Sequence, residues 1–253
     1  SSLVAALQAA DGDLVNVLSG GEFTVLAPTN AAFDSFLTAN GFADLSEVPT
    51  DVLANILLNH VVAGTVMSTD LTAAGAGYTQ TNATNMDGDV LSLYFNTSNG
   101  VVFNGVSTVA QADIEATNGV IHIVDQVIGL PTIATFATAD PTFETLVAAL
   151  TRPDLEVPFV TILSSTGQGT PLTTFAPTND AFGSLLTELN IDDLSQIDVN
   201  TLTAVLLTHV VGEANVRAED LTQDMPVPTL SGESLTVDLT NGDQHMHLSV
   251  QDV

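Results

Sequence analysis

A stretch of sequence near the start of the chain returns in its second half, and this internal repeat limits the possible architectures more than any other feature. The segment FTVLAPTNAAF at 23–33 returns as LTTFAPTNDAF at 172–182, an offset of 172 − 23 = 149. The segment ILLNHVV returns as VLLTHVV at the same offset, with His60 at the position of His209. Two matches at one offset indicate that one folding unit occurs twice.

The repeat and the chain length predict two domains. The 253 residues suffice for two domains of ordinary size, and Pro131 marks a junction, so we expect domains at 1–131 and 132–253. The second copy is preceded by a segment typical of a lead-in helix, 132–143, which the first copy lacks. The alignment ends before the second copy reaches a counterpart of the first copy's central strand at 121–128. We therefore expect the second domain to lack that C-terminal strand, and the sequence to be a window of a longer polypeptide.

Local patterns predict the order of elements within a copy. A strand ends at Pro28, and either Thr29 or Asn30 is placed to cap the helix that follows. A second helix is expected at 51–59, because its apolar residues recur at helical spacing. The near-continuous apolar run at 121–128 is typical of a central strand that is buried on both faces.

Three blocks of sequence, in a fixed order, resemble the fasciclin-like domain. They are the threonine-rich strand that runs into APTNxAF, the LLxHVV segment, and NGVIHIVD at 118–125. The resemblance covers nearly the whole chain in two copies. It implies an α+β fold in which each domain is a bent, wedge-like β-sandwich flanked by helices, and a role in adhesion rather than catalysis, outside the cell or at its surface. The framework positions are Pro28, Asn30, His60 and Asn118 in the first copy and Pro177, Asn179 and His209 in the second.

The charge balance excludes whole classes of partner. Thirty acidic residues face two arginines, Arg152 and Arg217, and no lysine, which gives a net charge of −28. No basic surface is left for a phosphate backbone, so nucleic-acid binding is excluded. The same charge repels anionic lipid head groups, and the longest apolar stretch, 52–67, is interrupted by polar residues well short of a membrane span. We interpret the acidity as adaptation to saline surroundings, a halophilic or marine habitat, where mobile cations screen the self-repulsion.

No catalytic pattern accompanies the titratable residues. The chain has no cysteine, which excludes thiol catalysis, cysteine-ligated zinc and disulfides. His60 and His209 each lie between a helix and a Val-Val strand, where a neutral imidazole can pin the junction through backbone hydrogen bonds, and neither has the Ser/His/Asp spacing of a nucleophilic site. No nucleophile elbow, phosphate-binding loop or dinucleotide fingerprint is present. We therefore expect a protein that is not an enzyme and holds no cofactor.

Two pairs of residues have the spacing of partial metal sites. His245 and His247 would place both rings on one face of a strand, as some zinc or copper sites do, but two ligands do not complete a site. Asp87 and Asp89 flank a glycine and offer carboxylate oxygens to calcium. The sequence there does not continue into a full calcium-binding loop, so a turn is the simpler interpretation. Weak, diffuse binding of Ca²⁺ over the acidic surface is expected on electrostatic grounds.

Two asparagines, Asn82 and Asn96, begin triplets with the N-glycosylation pattern. The pattern has chemical meaning only in an exporting cell that carries the transferase. Both asparagines fall in regions predicted to be loop or hairpin, the hairpin being expected at 90–103 because Asn99-Gly100 suits a tight turn.

The leading hypothesis is a non-enzymatic adhesion protein, extracellular or surface-anchored. Its expected partners are a protein or polysaccharide of the cell surface or matrix, or neighbouring repeats of the same polypeptide. The first alternative is a structural spacer or filament subunit of a longer multi-repeat chain with no specific ligand. The second is a small-molecule binder that uses the cleft between sheet and helices. The leading hypothesis rests on resemblance to a family, and such a resemblance supports a fold more strongly than it supports a function.

Overall fold

The computed structural model describes residues 1–165 and 171–239, together with the backbone of 247–250. The chain divides into two compact units, residues 1–131 and 132–253. No helix within the described residues is both long enough and apolar enough to cross a membrane.

The first unit contains five α-helices and seven strands. The helices are α1 (Ser2–Ala9), α2 (Leu14–Ser19), α3 (Asn30–Asn40), α4 (Thr50–Leu58) and α5 (Ser68–Ala74). The strands are β1 (Phe23–Pro28), β2 (Val61–Ala63), β3 (Ala76–Thr84), β4 (Val90–Asn96), β5 (Val102–Phe103), β6 (Ser107–Ala116) and β7 (Gly119–Val124). Helices α3 and α4 and the β4–β5 hairpin lie where the sequence predicts them.

The seven strands form one strongly bent sheet in the order β2-β1-β7-β6-β5-β4-β3. β1 and β7 run parallel, in register from Phe23 opposite Gly119 to Pro28 opposite Val124, and the other neighbouring strands are antiparallel. The register of β6 shifts twice against β7, and such bulges bend a strand. The two edge strands, β2 and β3, contact each other. The sheet is therefore folded over on itself, which is the bent sandwich of an α+β fold.

The central strand differs from its prediction in length and in burial. β7 lies between β1 and β6, but it ends at Val124 instead of continuing to residue 128. Asp125 leaves the strand and accepts a hydrogen bond from the N–H of Thr108 at 2.7 Å. Burial alternates along β7, so only the face that carries Val120 and Val124 is fully covered. Because successive side chains of a strand point to opposite faces, the prediction of burial on both faces was wrong.

The apolar side chains of the first unit form two clusters. One lies inside the bent sheet and includes Leu26, Leu93 and Phe103. The other packs the helices together and includes Phe33 and Leu53. β1 contributes Leu26 to the first cluster, and α3 and α4 contribute Phe33 and Leu53 to the second.

The second unit repeats part of this arrangement. Its helices are α6 (Ile133–Ala139), α7 (Glu144–Leu150), α8 (Phe159–Leu163), α9 (Asn179–Glu188) and α10 (Val199–Thr208). Its strands are β8 (Leu172–Thr174), β9 (Val210–Gly212), β10 (Pro226–Pro228), β11 (Ser234–Asp238) and β12 (His247–Val250). β8 pairs with β9 as β1 pairs with β2, and β10, β11 and β12 form an antiparallel sheet.

Candidate functional site

His60 ties three segments of the first unit together. It follows α4 and is 2% exposed. Its Nδ1–H donates to the carbonyl of Ile56 at 2.8 Å, and its Nε2 accepts the N–H of Ile128 at 2.9 Å. One ring nitrogen therefore donates and the other accepts, which is the pattern of a neutral imidazole with its proton on Nδ1. Burial lowers the pKa of His60 from 6.5 to about 4, and the hydrogen bond to Ile56 opposes only part of that shift.

Asn59 extends this buried junction on the other side. It is completely buried. Its Nδ2 donates to the carbonyl of Gly129 at 3.0 Å, and its Oδ1 accepts the hydroxyl of Thr81 at 3.2 Å. Together, His60 and Asn59 fasten the segment after β7 to α4 and β3.

His209 holds the same local position in the second unit. Its Nδ1–H donates to the carbonyl of Val205 at 2.7 Å, which matches the bond from His60 to Ile56. The ring of His209 is half-buried, whereas that of His60 is buried. The two histidines share the turn at the end of the helix but differ in their surroundings.

Two asparagines link the helices in both units. Oδ1 of Asn30 accepts the N–H of Ser2 at 2.9 Å, and Oδ1 of Asn179 accepts the N–H of Thr145 at 2.9 Å. The helix caps are the preceding threonines: the hydroxyl of Thr29 accepts the N–H of Ala32, and that of Thr178 accepts the N–H of Ala181. The threonines therefore cap α3 and α9. The asparagines connect the starts of these helices to the first helix of each copy.

Pro28 and Pro177 occupy matching positions directly before these caps. Pro28 is buried at the end of β1, opposite Val124. Pro177 is half-buried and lies beyond the end of the shorter strand β8.

A repeated threonine contact was missed by the sequence analysis. Thr24 donates its hydroxyl to the carbonyl of Gly64 at 2.8 Å and accepts the N–H of Val66 at 2.8 Å. Its counterpart Thr173 makes the same pair of bonds, to Ala214 at 2.9 Å and from Val216 at 2.7 Å. The two threonines can be recognised from the repeated threonine-rich strands. Their partners cannot, because they lie about 40 residues away and the repeat offset has increased by one residue there.

Asn118 ends the turn between β6 and β7, and Gly119 begins β7 opposite Phe23 of β1. The side-chain amide of Asn118 donates to the carbonyl of Leu18 at 2.8 Å and to that of Gly21 at 3.1 Å. Gly119 has φ +141°, and a Cβ placed on it would lie 1.8 Å from the carbonyl oxygen of Phe23. Glycine is therefore the residue that permits the close approach of these two strands.

Three side chains of catalytic type meet near the bulge of β6, although they are distant in sequence. Ser68 donates both its N–H and its hydroxyl to the carboxylate of Asp113, and these bonds hold the pKa of Asp113 below its usual value. His122 is buried; its Nε2–H donates to the carbonyl of Val66 at 2.9 Å, and its Nδ1 accepts the N–H of Asp113 at 3.2 Å. Both ring nitrogens are thus engaged by backbone, so the imidazole is not available as a base to the serine hydroxyl. The arrangement stabilises a bulge in which Asp113 has φ +58°.

The candidate calcium pair is part of the turn between β3 and β4. Oδ1 of Asn85 accepts the N–H of Asp87 and that of Asp89, each at 2.9 Å. Within the described residues, no three carboxylate or imidazole side chains come together as a metal site. His245 and the side chain of His247 lie outside the described residues, so the candidate zinc or copper pair stays a prediction.

The two glycosylation asparagines lie in strands, which corrects the prediction of loop for one of them. Asn82 is inside β3, because the strand extends across the region predicted to be irregular. Asn96 ends β4, and its side chain donates to the hydroxyl of Tyr94 at 3.2 Å and accepts the N–H of Ser98 at 2.8 Å. A glycan on Asn96 would have to displace these contacts.

A comparison with protein-family models adds an independent line of evidence. The fasciclin domain model matches residues 1–131 and 141–251. The chain belongs to the fasciclin family. Both copies of the framework described above lie inside the matched residues, so the resemblance inferred from the sequence is confirmed.

Proteins similar to this chain are found in bacteria and in animals. Protein sll1483 of Synechocystis sp. is 39% identical over 129 residues, which cover 51% of this chain and 66% of that protein. Transforming growth factor-beta-induced protein ig-h3 of Sus scrofa is 32% identical over 228 residues, 86% of this chain and 30% of that protein. The chain thus spans less than two thirds of either relative.

A solved structure supports the fold of the fasciclin pair. It is the domain pair from the insect cell adhesion molecule fasciclin I, which matches with a TM-score of 0.53 and 19% sequence identity. The match covers 95% of this chain and 84% of that one.

One of the two arginines of the chain makes hydrogen bonds within the second fasciclin domain. Arg152 donates through Nε and Nη2 to the carboxylate of Asp154, at 2.7 and 2.8 Å. Its Nη1 donates to the carbonyls of Leu194 and Ile197, at 2.9 and 2.8 Å. The carboxylate and the hydrogen bonds hold the pKa of Arg152 above its usual value. This guanidinium joins two loops of the domain.

Replacing Arg152 with lysine is expected to destabilise the second domain by about 1–2 kcal/mol, although the charge is kept. A lysine ammonium cannot span the carboxylate and both carbonyls in one plane. Arg217→Lys is the matched control, the same change at the other arginine, whose Nη1 lies 4.0 Å from a carboxylate oxygen of Glu219, and we expect it to cost less stability than Arg152→Lys. Urea unfolding followed by far-UV circular dichroism measures both. Equal losses in the two variants would contradict the role given to Arg152.

Proposed function

We propose that the chain is a non-enzymatic adhesion module that acts outside the cell or at its surface, in saline surroundings. The observation that carries the proposal is the pairing of two fasciclin domains, the arrangement found in an insect cell adhesion molecule. His60 and His122 use their ring nitrogens in backbone contacts, and the hydroxyl of Ser68 donates to the carboxylate of Asp113. These contacts support a framework role for the three groups instead of a catalytic one.

The surface charge decides what kind of contact the module makes. With 30 acidic residues and two arginines, one of them engaged internally, the surface repels other anionic surfaces. Salt shortens the range of that repulsion from about 8 Å near 0.15 M to about 3 Å at 1 M. Divalent cations can bridge carboxylates on the two sides, in the weak and diffuse manner expected of Ca²⁺ here. The proposed partners are therefore cell-surface or matrix proteins or polysaccharides, contacted under screened conditions.

Beads coated with the protein are expected to adhere to cells or extracted matrix more than beads coated with a charge-matched acidic control protein. Adhesion should rise when the salt concentration is raised, and again when Ca²⁺ is added, because both reduce repulsion between anionic surfaces. The measurement is the fraction of beads retained after washing at low and high salt, with and without Ca²⁺.

Adhesion that is equal under all four conditions would contradict the proposal, as would retention no greater than that of the control. The second of these results is the one expected of a spacer or filament subunit without a specific ligand. The same assay therefore separates the two candidate functions.

A further inference from the structure

The first domain contains a cavity of about 260 Å³ between α5 and the bent sheet. Its inner wall is formed by core side chains, among them Leu26, Leu71 and Phe103, each less than a tenth exposed. Ala74 and Asp70 of α5 are exposed and line the cavity as well, together with Tyr78, which is 48% exposed. The cavity therefore has an apolar interior and a mouth at the surface, as small-molecule sites commonly do.

Comparison of the two repeats identifies a residue whose size affects the volume of this cavity. Leu26 corresponds to Phe175, at the offset of 175 − 26 = 149. In the second domain, Phe175 packs against the cluster that contains Val211 and Leu221. Their counterparts in the first domain, Val62 and Leu71, line the cavity beside the smaller Leu26. The same framework thus carries a ring at this position in one copy and a leucine in the other.

The volume limits the size of an occupant. Since a dry apolar cavity of about 150 Å³ admits benzene, one of about 260 Å³ has room for about ten heavy atoms, or two fused rings. A single-chain lipid of ordinary length or a sugar chain exceeds this space.

The negative charge of the protein limits the charge of a ligand that the cavity can bind. The carboxylate of Asp70 lies at the mouth, where one oxygen accepts the N–H of Met67 at 2.9 Å. The protein as a whole carries a charge of −28, so an anionic ligand is repelled twice, by the mouth and by the whole surface. A hydroxyl or ammonium group can instead donate a hydrogen bond to the carboxylate.

We propose that this cavity binds a neutral or cationic bicyclic molecule of about ten ring atoms, with the rings inside and the polar group directed to Asp70. The occupant is defined by the size of the cavity, its apolar wall and the acid at its mouth.

The test uses three probes that share a naphthyl ring: naphthylmethanol, naphthylmethylammonium and naphthoate. Calorimetric titration of the full chain should show one site for the alcohol and for the ammonium, and binding of naphthoate weaker by at least about tenfold. Tyrosine emission should fall as the site fills, because the chain has no tryptophan and Tyr78 lines the cavity.

Ala74→Phe places a ring at the mouth and should weaken binding of the alcohol by at least about tenfold. Ala73→Phe is the matched control, the same change one residue earlier on the exposed surface of α5 and outside the lining of the cavity, and it should leave binding within about twofold. Leu26→Phe copies the residue of the second domain and fills the cavity from within, so it decides the question if Ala74→Phe does not fold.

Absence of binding by the alcohol and the ammonium up to about 1 mM, near the weak end of measurable affinity, would overturn the proposal. Binding that is unchanged by both Ala74→Phe and Leu26→Phe would overturn it too, because the probe would then lie elsewhere. Equal binding of naphthoate would overturn the assignment of a neutral or cationic ligand.

Discussion

Gly119→Ala is expected to unfold the first domain or to lower its free energy of unfolding by about 3 kcal/mol or more. The new Cβ would lie 1.8 Å from the carbonyl oxygen of Phe23, an atom of the backbone of β1 that cannot move without breaking the parallel β1–β7 pairing. The φ of +141° adds strain for any residue with a Cβ. Steric conflict and backbone strain therefore act at the one position where the two central strands begin to pair.

Gly41→Ala separates these two effects. Gly41 also has a positive φ, +75°, but a Cβ there meets nothing within 4 Å, so only the strain of about 1 kcal/mol remains. Tyrosine emission during urea unfolding reports the first domain alone, because Tyr78 and Tyr94 are the two tyrosines of the chain and both lie in that domain. A Gly119→Ala variant no less stable than Gly41→Ala would show that β1 and β7 do not approach as described.

Acidification from pH 6.5 to pH 4 is expected to remove about 3 kcal/mol of stability from the first domain through His60 alone. In the unfolded chain the ring binds a proton near pH 6.5, whereas in the buried site it does so only near pH 4. Between these values the unfolded state binds more protons, so stability rises with pH. The contribution is fully present above pH 6.5 and is lost as the pH falls toward 4.

His60→Gln removes this titration while leaving the carboxylates in place. The variant should be less stable than the parent protein at neutral pH, since the bonds to Ile56 and Ile128 are disturbed. Its stability should then fall less between pH 6.5 and pH 4, so the two curves converge as the solution is acidified. Urea midpoints from tyrosine emission, at high salt to screen the acidic surface, give both curves. Parallel curves would show that His60 is not held neutral by burial.

The repeat predicted more of the fold than any single motif. The strand that ends at Pro28, the helices that follow it and the position of His60 at the end of α4 could be inferred, because local spacing and turn residues determine them. The extent of β7 could not be inferred from its apolar run. Ile128 is completely buried, yet it lies beyond the strand, so hydrophobicity alone does not separate a strand from a buried loop.

The polar contacts were less accessible to sequence analysis because they join distant segments. Asn59 reaches Gly129, 70 residues away, and Ser68 reaches Asp113, 45 residues away. No local pattern marks such pairs, and the positive φ of Asp113 arises from a bulge that depends on the register of β6 with β7. A cleft between sheet and helices could be expected, but the residues that line the cavity beside Leu26 could not be identified, since its walls come from separate elements.

Competition by the soluble protein tests the adhesion proposal most directly. Beads coated with the chain are placed on extracted matrix at high salt with Ca²⁺, and the soluble chain is added in increasing excess. The proposal predicts that bead retention falls to the level of bare beads, while an acidic protein of equal charge leaves it unchanged, because a specific surface saturates and a general charge effect does not. Retention that the soluble chain does not reduce, or that the acidic protein reduces equally, would contradict it.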